Sequence, residues 1–126
     1  MNQTKKYIIY GPVDTLRRMA PTLKKDIPPK FEYKYLSLAE HDEIHMYVYE
    51  EYQRQINSST SLTLVVELSS RSLKVELFPT GGRVGFRGSV SSAEQPAYDK
   101  VIDFVNDYAA RFGLTMQDVT PVAVEN

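Results

Sequence analysis

Two hydrophobic periods in the second half of this chain restrict its fold more than any other feature. Leu62, Leu64, Val66 and Leu68 alternate with Thr63, Val65 and Glu67. After a polar turn, Ser69 to Ser72, the alternation resumes with Leu73, Val75 and Leu77 against Lys74 and Glu76. A period of two belongs to strands with one face against a core. The period then lengthens. Tyr98, Val101, Ile102, Val105, Tyr108, Ala109 and Phe112 form a stripe at helical spacing, with Asp99, Lys100, Asp103, Asn106, Asp107 and Arg111 on the other side. Ser92 with Gln95 offers a capping box, Pro96 suits the first turn, and Gly113 suits a left-handed C-cap. Neither a one-sided sheet nor a striped helix is stable alone in water, so the helix is expected to cover one sheet face.

The first half supplies further strands. Tyr7 to Tyr10 is a short β-rich run stopped by Gly11-Pro12. Asp14 is placed to cap a helix carrying Leu16, Met19, Ala20 and Leu23, and Pro21 inside that pattern predicts two pieces or a kink. Phe31, Tyr33 and Tyr35 alternate with Glu32 and Lys34, which gives a strand with an aromatic face. The stretch from Glu43 to Gln53 has two readings. A helix could start at Ser37 with Glu40 as its capping box and line up Ile44, Val48 and Tyr52. A strand places Ile44, Met46 and Val48 on one face and His45, Tyr47 and Tyr49 on the other. The Tyr-Val-Tyr centre favours the strand. Polar turns at Asn57 to Ser61 and at Pro79 to Gly82, and a short strand around Val84 and Phe86, complete the pattern.

The expected fold is therefore α+β: an antiparallel sheet of about five to six strands in β-α-β-β-β-β-(β)-α order, covered by a long C-terminal helix in a helix-grip-like layout. A chain of 126 residues fits one domain, expected at 1–113 with a tail at 114–126. Apolar content of 42% and charged content of 25% argue against disorder. No cysteine is present, which excludes disulfides and thiolate metal sites and suits a reducing cytoplasm. The four-residue apolar run near the N-terminus is shorter than a secretory or membrane-spanning segment needs, so no membrane partner is expected. A formal net charge of −1 gives no global attraction to nucleic acid.

Three constellations carry candidate chemistry. His41-Asp42-Glu43-Ile44-His45 places two histidines four apart, a metal-binding spacing on a helix. On a strand they stand roughly 13 Å apart at about 3.3 Å per residue, and no third histidine exists. A charged turn entering a strand is the better reading, so no metal and no cofactor are expected. The loop Gly81 to Ser89 offers close-approaching amides together with Arg83, Arg87 and Ser89 for an anion, ahead of a helix N-terminus. It lacks the Lys-Ser/Thr ending of a phosphate-binding P-loop, and a glycine-assisted hairpin turn followed by a short edge strand is the better reading. Third, Tyr47 and Tyr49 with His45 share one strand face, with Tyr33 and Tyr35 on a neighbouring strand. Tyrosine suits interfaces and half-wet pockets. Cross-strand packing, or cover by the first helix, is the competing explanation. No serine lies in a nucleophile elbow, and Glu50 and Glu51 point to opposite strand faces, so no catalytic residue is assigned.

Tyr49-Glu50-Glu51-Tyr52, Ser61-Leu62-Thr63-Leu64 and Gly81-Gly82 resemble an uncharacterised family of small bacterial α+β proteins, over roughly residues 43 to 104. The resemblance implies a similar order of strands and helix and a bacterial cytoplasmic setting, and it carries no activity or ligand. The leading functional expectation is a non-enzymatic interaction module that self-associates through a tyrosine-bearing sheet face or an edge strand. A small-molecule binder with a pocket between sheet and C-terminal helix comes next. An enzyme or anion-binding protein using His41/His45 or the Gly/Arg loop is third.

Overall fold

The computed structural model describes residues 4–37, 42–53, 58–80 and 96–120. In chain order the elements are β1 (Lys5–Tyr10), α1 (Val13–Arg17), α2 (Met19–Asp26), β2 (Phe31–Ser37), β3 (Asp42–Gln53), β4 (Ser58–Leu68), β5 (Ser72–Thr80), α3 (Ala97–Arg111) and β6 (Thr115–Asp118). The strands form one six-stranded sheet in the order β2-β3-β4-β5-β1-β6, with every neighbouring pair antiparallel. The α+β class and the antiparallel sheet with its C-terminal helix are as the sequence leads one to expect.

Residues 42–53 are a strand, so the β-branched and aromatic preference prevails over the helical spacing of Ile44, Val48 and Tyr52. The first helix is two pieces. Pro21 has no N–H to donate to Arg17 and its ring crowds that carbonyl, so the chain breaks at Arg18 and Pro21 falls in the first turn of α2. Asp14 does not cap α1: Pro12 holds the N-cap position, and Asp14 lies in the first turn. At the end of α3, Gly113 takes φ 65°, Leu114 N donates to the Ala109 carbonyl at 2.8 Å and Gly113 N to that of Ala110 at 3.5 Å. This doubly bonded, left-handed stop turns the chain into β6, so part of the segment read as a tail is a strand paired with β1. β4 begins at Ser58 and β5 runs through Pro79 to Thr80, because ladder pairing continues beyond the apolar alternation. The expected strand around Val84 and Phe86 and the capping box at Ser92 and Gln95 lie outside the described residues.

All three helices lie on one face of the sheet. The core there is built from Tyr7 and Ile9 of β1, Leu62 to Leu68 of β4 at alternate positions, Leu73, Val75 and Leu77 of β5, and Leu16, Met19, Leu23, Val101 and Val105 from the helices. Asp99, expected on the solvent side of α3, is buried in its first turn, where the helix dipole favours a carboxylate. Phe112, expected in the stripe, is half exposed and packs on Tyr108, with ring centroids 4.7 Å apart.

Candidate interaction surface

Register decides which side of each strand is covered. Tyr49, Tyr47 and His45 stand opposite Leu62, Leu64 and Val66, all on the helix side. His45, Tyr47 and Tyr49 are only 6%, 1% and 5% exposed. They therefore form no open interface, and the competing explanation, cover by the first helix, is what the structure adopts. Tyr47 OH donates to the Ala20 carbonyl at 3.2 Å, and Tyr49 OH to that of Ile27 at 2.8 Å. From α3, Tyr108 OH donates to the Thr15 carbonyl at 2.7 Å. Three tyrosines thus pin the α1–α2 segment through its backbone. Desolvation, with a smaller push from Glu32, moves the Tyr47 hydroxyl up to about 12, and burial raises that of Tyr49 further still.

His45 Nε2 lies 3.3 Å from Glu43 Oε1, and Arg17 Nε donates to Glu43 Oε2 at 2.8 Å. Burial pushes the Glu43 carboxyl up, but the hydrogen bonds from Arg17 and His45 outweigh it and hold the group below its ordinary value. This cluster ties α1 to β3 and brings no nucleophile with it. His41, Arg83, Arg87 and Ser89 lie outside the described residues. Among the described residues no group of three or more His, Asp or Glu side chains is arranged to hold a metal ion.

The same register sends the other aromatic residues to the uncovered face. Phe31 pairs with Val48, Tyr33 with Met46 and Tyr35 with Ile44. Tyr33 and Tyr35 are thus on the strand next to Tyr47 and Tyr49 but on the opposite face. Phe31, Tyr33 and Tyr35 are 50%, 65% and 62% exposed, and Tyr52 on β3 is 57% exposed. Val65 of β4, opposite Met46, extends the apolar surface inward. Further across the sheet the character changes: Glu67 stands opposite Lys74, and Glu76 opposite Lys6. One half of the uncovered face is aromatic and aliphatic, and the other half carries opposite-sign register pairs.

Neither a family model nor a curated protein matches the chain.

Two concave regions adjoin α3. A groove of about 540 Å³ runs between α3 and the α1–α2 segment, lined by Thr15, Arg18, Phe104, Tyr108, Arg111 and Phe112 among others. A cleft of about 470 Å³ lies where the end of β3, the α2–β2 connection and the start of α3 meet, beside Tyr49, Glu51, Ala97 and Lys100. Val101 and Val105 are fully buried, so along its middle α3 sits directly on its neighbours. Glu51 points to the helix side and accepts from Ala97 N at 2.6 Å, whereas Glu50 meets Lys30 Nζ at 3.0 Å. The adjacent carboxylates do diverge, one onto a helix terminus and one into a surface ion pair. No helix among the described residues is long and apolar enough to cross a membrane.

Proposed function

We propose that this protein is a non-enzymatic, cytoplasmic interaction module that self-associates through the aromatic half of its uncovered sheet face. One observation carries the reading: Phe31, Tyr33 and Tyr35 are exposed together over Ile44, Met46, Val48 and Val65. Contiguous apolar surface of this kind on a soluble domain marks a contact site, and tyrosine suits it because its polar tip tolerates water when the partner is absent. The cysteine-free composition supports the cytoplasmic setting. Sedimentation velocity over a concentration series tests the proposal. A reversible oligomer is expected, weakened at least tenfold by Tyr35→Ser combined with Tyr33→Ser. A wild-type chain that stays monomeric at the highest concentrations would remove it.

A second reading, small-ligand binding, is supported by the groove beside α3. There Phe104 stacks on Tyr108 and Phe112 meets Tyr108 at a tilt, with centroids 5.8 and 4.7 Å apart, next to Arg18 and Arg111. Aromatic zwitterions carrying a carboxylate and an ammonium are the matching probes, since rings stack on rings, guanidinium groups bind carboxylates, and Asp26 and Asp107 on the same groove offer carboxylates to a cation. A thermal shift that Arg18→Ala abolishes is its expected signature, and no shift with any of them counts against it.

A further inference from the structure

Among the described residues the two edge strands of the sheet are unlike. β6 is four residues long, and its last residue, Asp118, is tied to Lys5 by an ion pair at 3.2 Å. A short edge strand of this sort is a common protection against unwanted pairing. β2 is a seven-residue strand that carries three exposed aromatics on one side and Glu32, Lys34 and Leu36 on the other. Its outer edge is unpaired among the described residues.

We infer that β2 pairs antiparallel with β2 of a second copy, about a two-fold axis at Tyr33, joining two sheets into one continuous twelve-stranded sheet. The inference rests on the self-association proposed above and adds the partner's element and register. The charges select that register. With the axis at Tyr33, Glu32 stands opposite the second copy's Lys34, and Lys34 opposite the second copy's Glu32. On the other face Phe31 meets the second copy's Tyr35, and Tyr33 meets its own equivalent. The adjacent registers that keep the helices on one side are repulsive: an axis at Lys34 sets Lys34 against itself, and one at Glu32 sets Glu32 against itself. A lysine on an edge strand normally opposes pairing. Here a glutamate two residues away makes the strand complementary to itself and to little else, and opposite charges directly across a pair are favourable where like charges are not. Lys24 Nζ already contacts Glu32 Oε1 at 2.6 Å, and among the described residues the second carboxylate oxygen has no partner and can accept from an incoming lysine.

Single-cysteine variants read the register directly, since the full chain contains no cysteine. Antiparallel partners lie about 4.5–5.5 Å apart at Cα, within the roughly 4.4–6.8 Å that a disulfide spans. Tyr33→Cys is expected to form a covalent dimer on mild oxidation. Tyr35→Cys and Phe31→Cys each alone are expected not to, because their equivalents lie about 13 Å apart along the strands, whereas the two mixed together are expected to cross-link. In sedimentation, Glu32→Lys or Lys34→Glu should weaken the dimer about tenfold, and the double exchange should restore it. All these side chains are at the surface, so folding is expected to survive each change. A dimer that forms normally but resists cross-linking at Tyr33, and ignores the charge reversals, overturns the edge pairing and leaves face-to-face association standing. A monomer overturns both.

Discussion

At Tyr47 the hydroxyl is spent on the Ala20 carbonyl under a helix, whereas Tyr33 on the adjacent strand leaves its ring mostly in solvent. The nine tyrosines divide along that line, with Tyr7, Tyr47, Tyr49, Tyr98 and Tyr108 inside and Tyr10, Tyr33, Tyr35 and Tyr52 outside. Inside, each ring offers core volume plus a donor that can reach a backbone carbonyl, as Tyr47, Tyr49 and Tyr108 do. Tyr47→Phe removes one such donor and is expected to cost about 1 kcal/mol in urea unfolding. Its titration has a definite sign. The hydroxyl ionises near 10 in an unfolded chain and about 12 when folded, so the folded state holds the proton more tightly. The stability it contributes is complete below pH 10 and is lost as pH climbs toward 12, and Tyr47→Phe should flatten that alkaline branch. Glu43 has the opposite sign. Its folded-state value is depressed below 4.5, so its contribution is present above that pH and is lost as pH falls through the folded value. Glu43→Gln should accordingly reduce the loss of melting temperature on acidification.

At the scale of elements, α3 is held at both ends by groups that a helical stripe does not reveal. Its N-cap residue, Pro96, makes no side-chain capping bond, and Glu51 from β3 accepts from Ala97 N instead. The carboxylate also faces the positive end of the helix dipole. Glu51→Ala is expected to cost about 1–2 kcal/mol in chemical denaturation, with Glu51→Gln intermediate. At the other end, a Cβ on Gly113 would meet nothing within 4 Å, so the cost of Gly113→Ala is purely one of backbone conformation. A loss of about 1 kcal/mol is expected, with no change in core packing by near-ultraviolet circular dichroism. The C-terminal glycine was legible because a left-handed stop has a residue preference. The N-terminal carboxylate was not, because Glu51 lies 46 residues before its partner and nothing local marks it.

For the molecule as a whole, the division of the uncovered face into an aromatic half and a charged half gives association a direction. If two copies join at the aromatic edge, folding and assembly are linked by mass action, and the melting temperature should rise with protein concentration. Tyr33→Ser should weaken that dependence while leaving the dilute-limit melting temperature within about 2 °C, since an exposed side chain contributes little to the monomer.

The alternation of Leu62 to Leu68 and Leu73 to Leu77 and the stripe of α3 are local facts of the chain, and they were enough to determine an antiparallel sheet with a covering helix. What they left open was the face of β3. That strand is apolar on both sides, with Ile44, Met46 and Val48 on one and His45, Tyr47 and Tyr49 on the other, so its own pattern contains no preference. Only long-range pairing resolves it: the register that aligns Tyr47 with Leu64 and Tyr49 with Leu62 puts the tyrosines in the core. The β2–β3 register in turn sends Phe31, Tyr33 and Tyr35 to the opposite face. Because strand side chains repeat with period two, a shift of one residue would exchange the two sets, and the interaction surface is a property of that register.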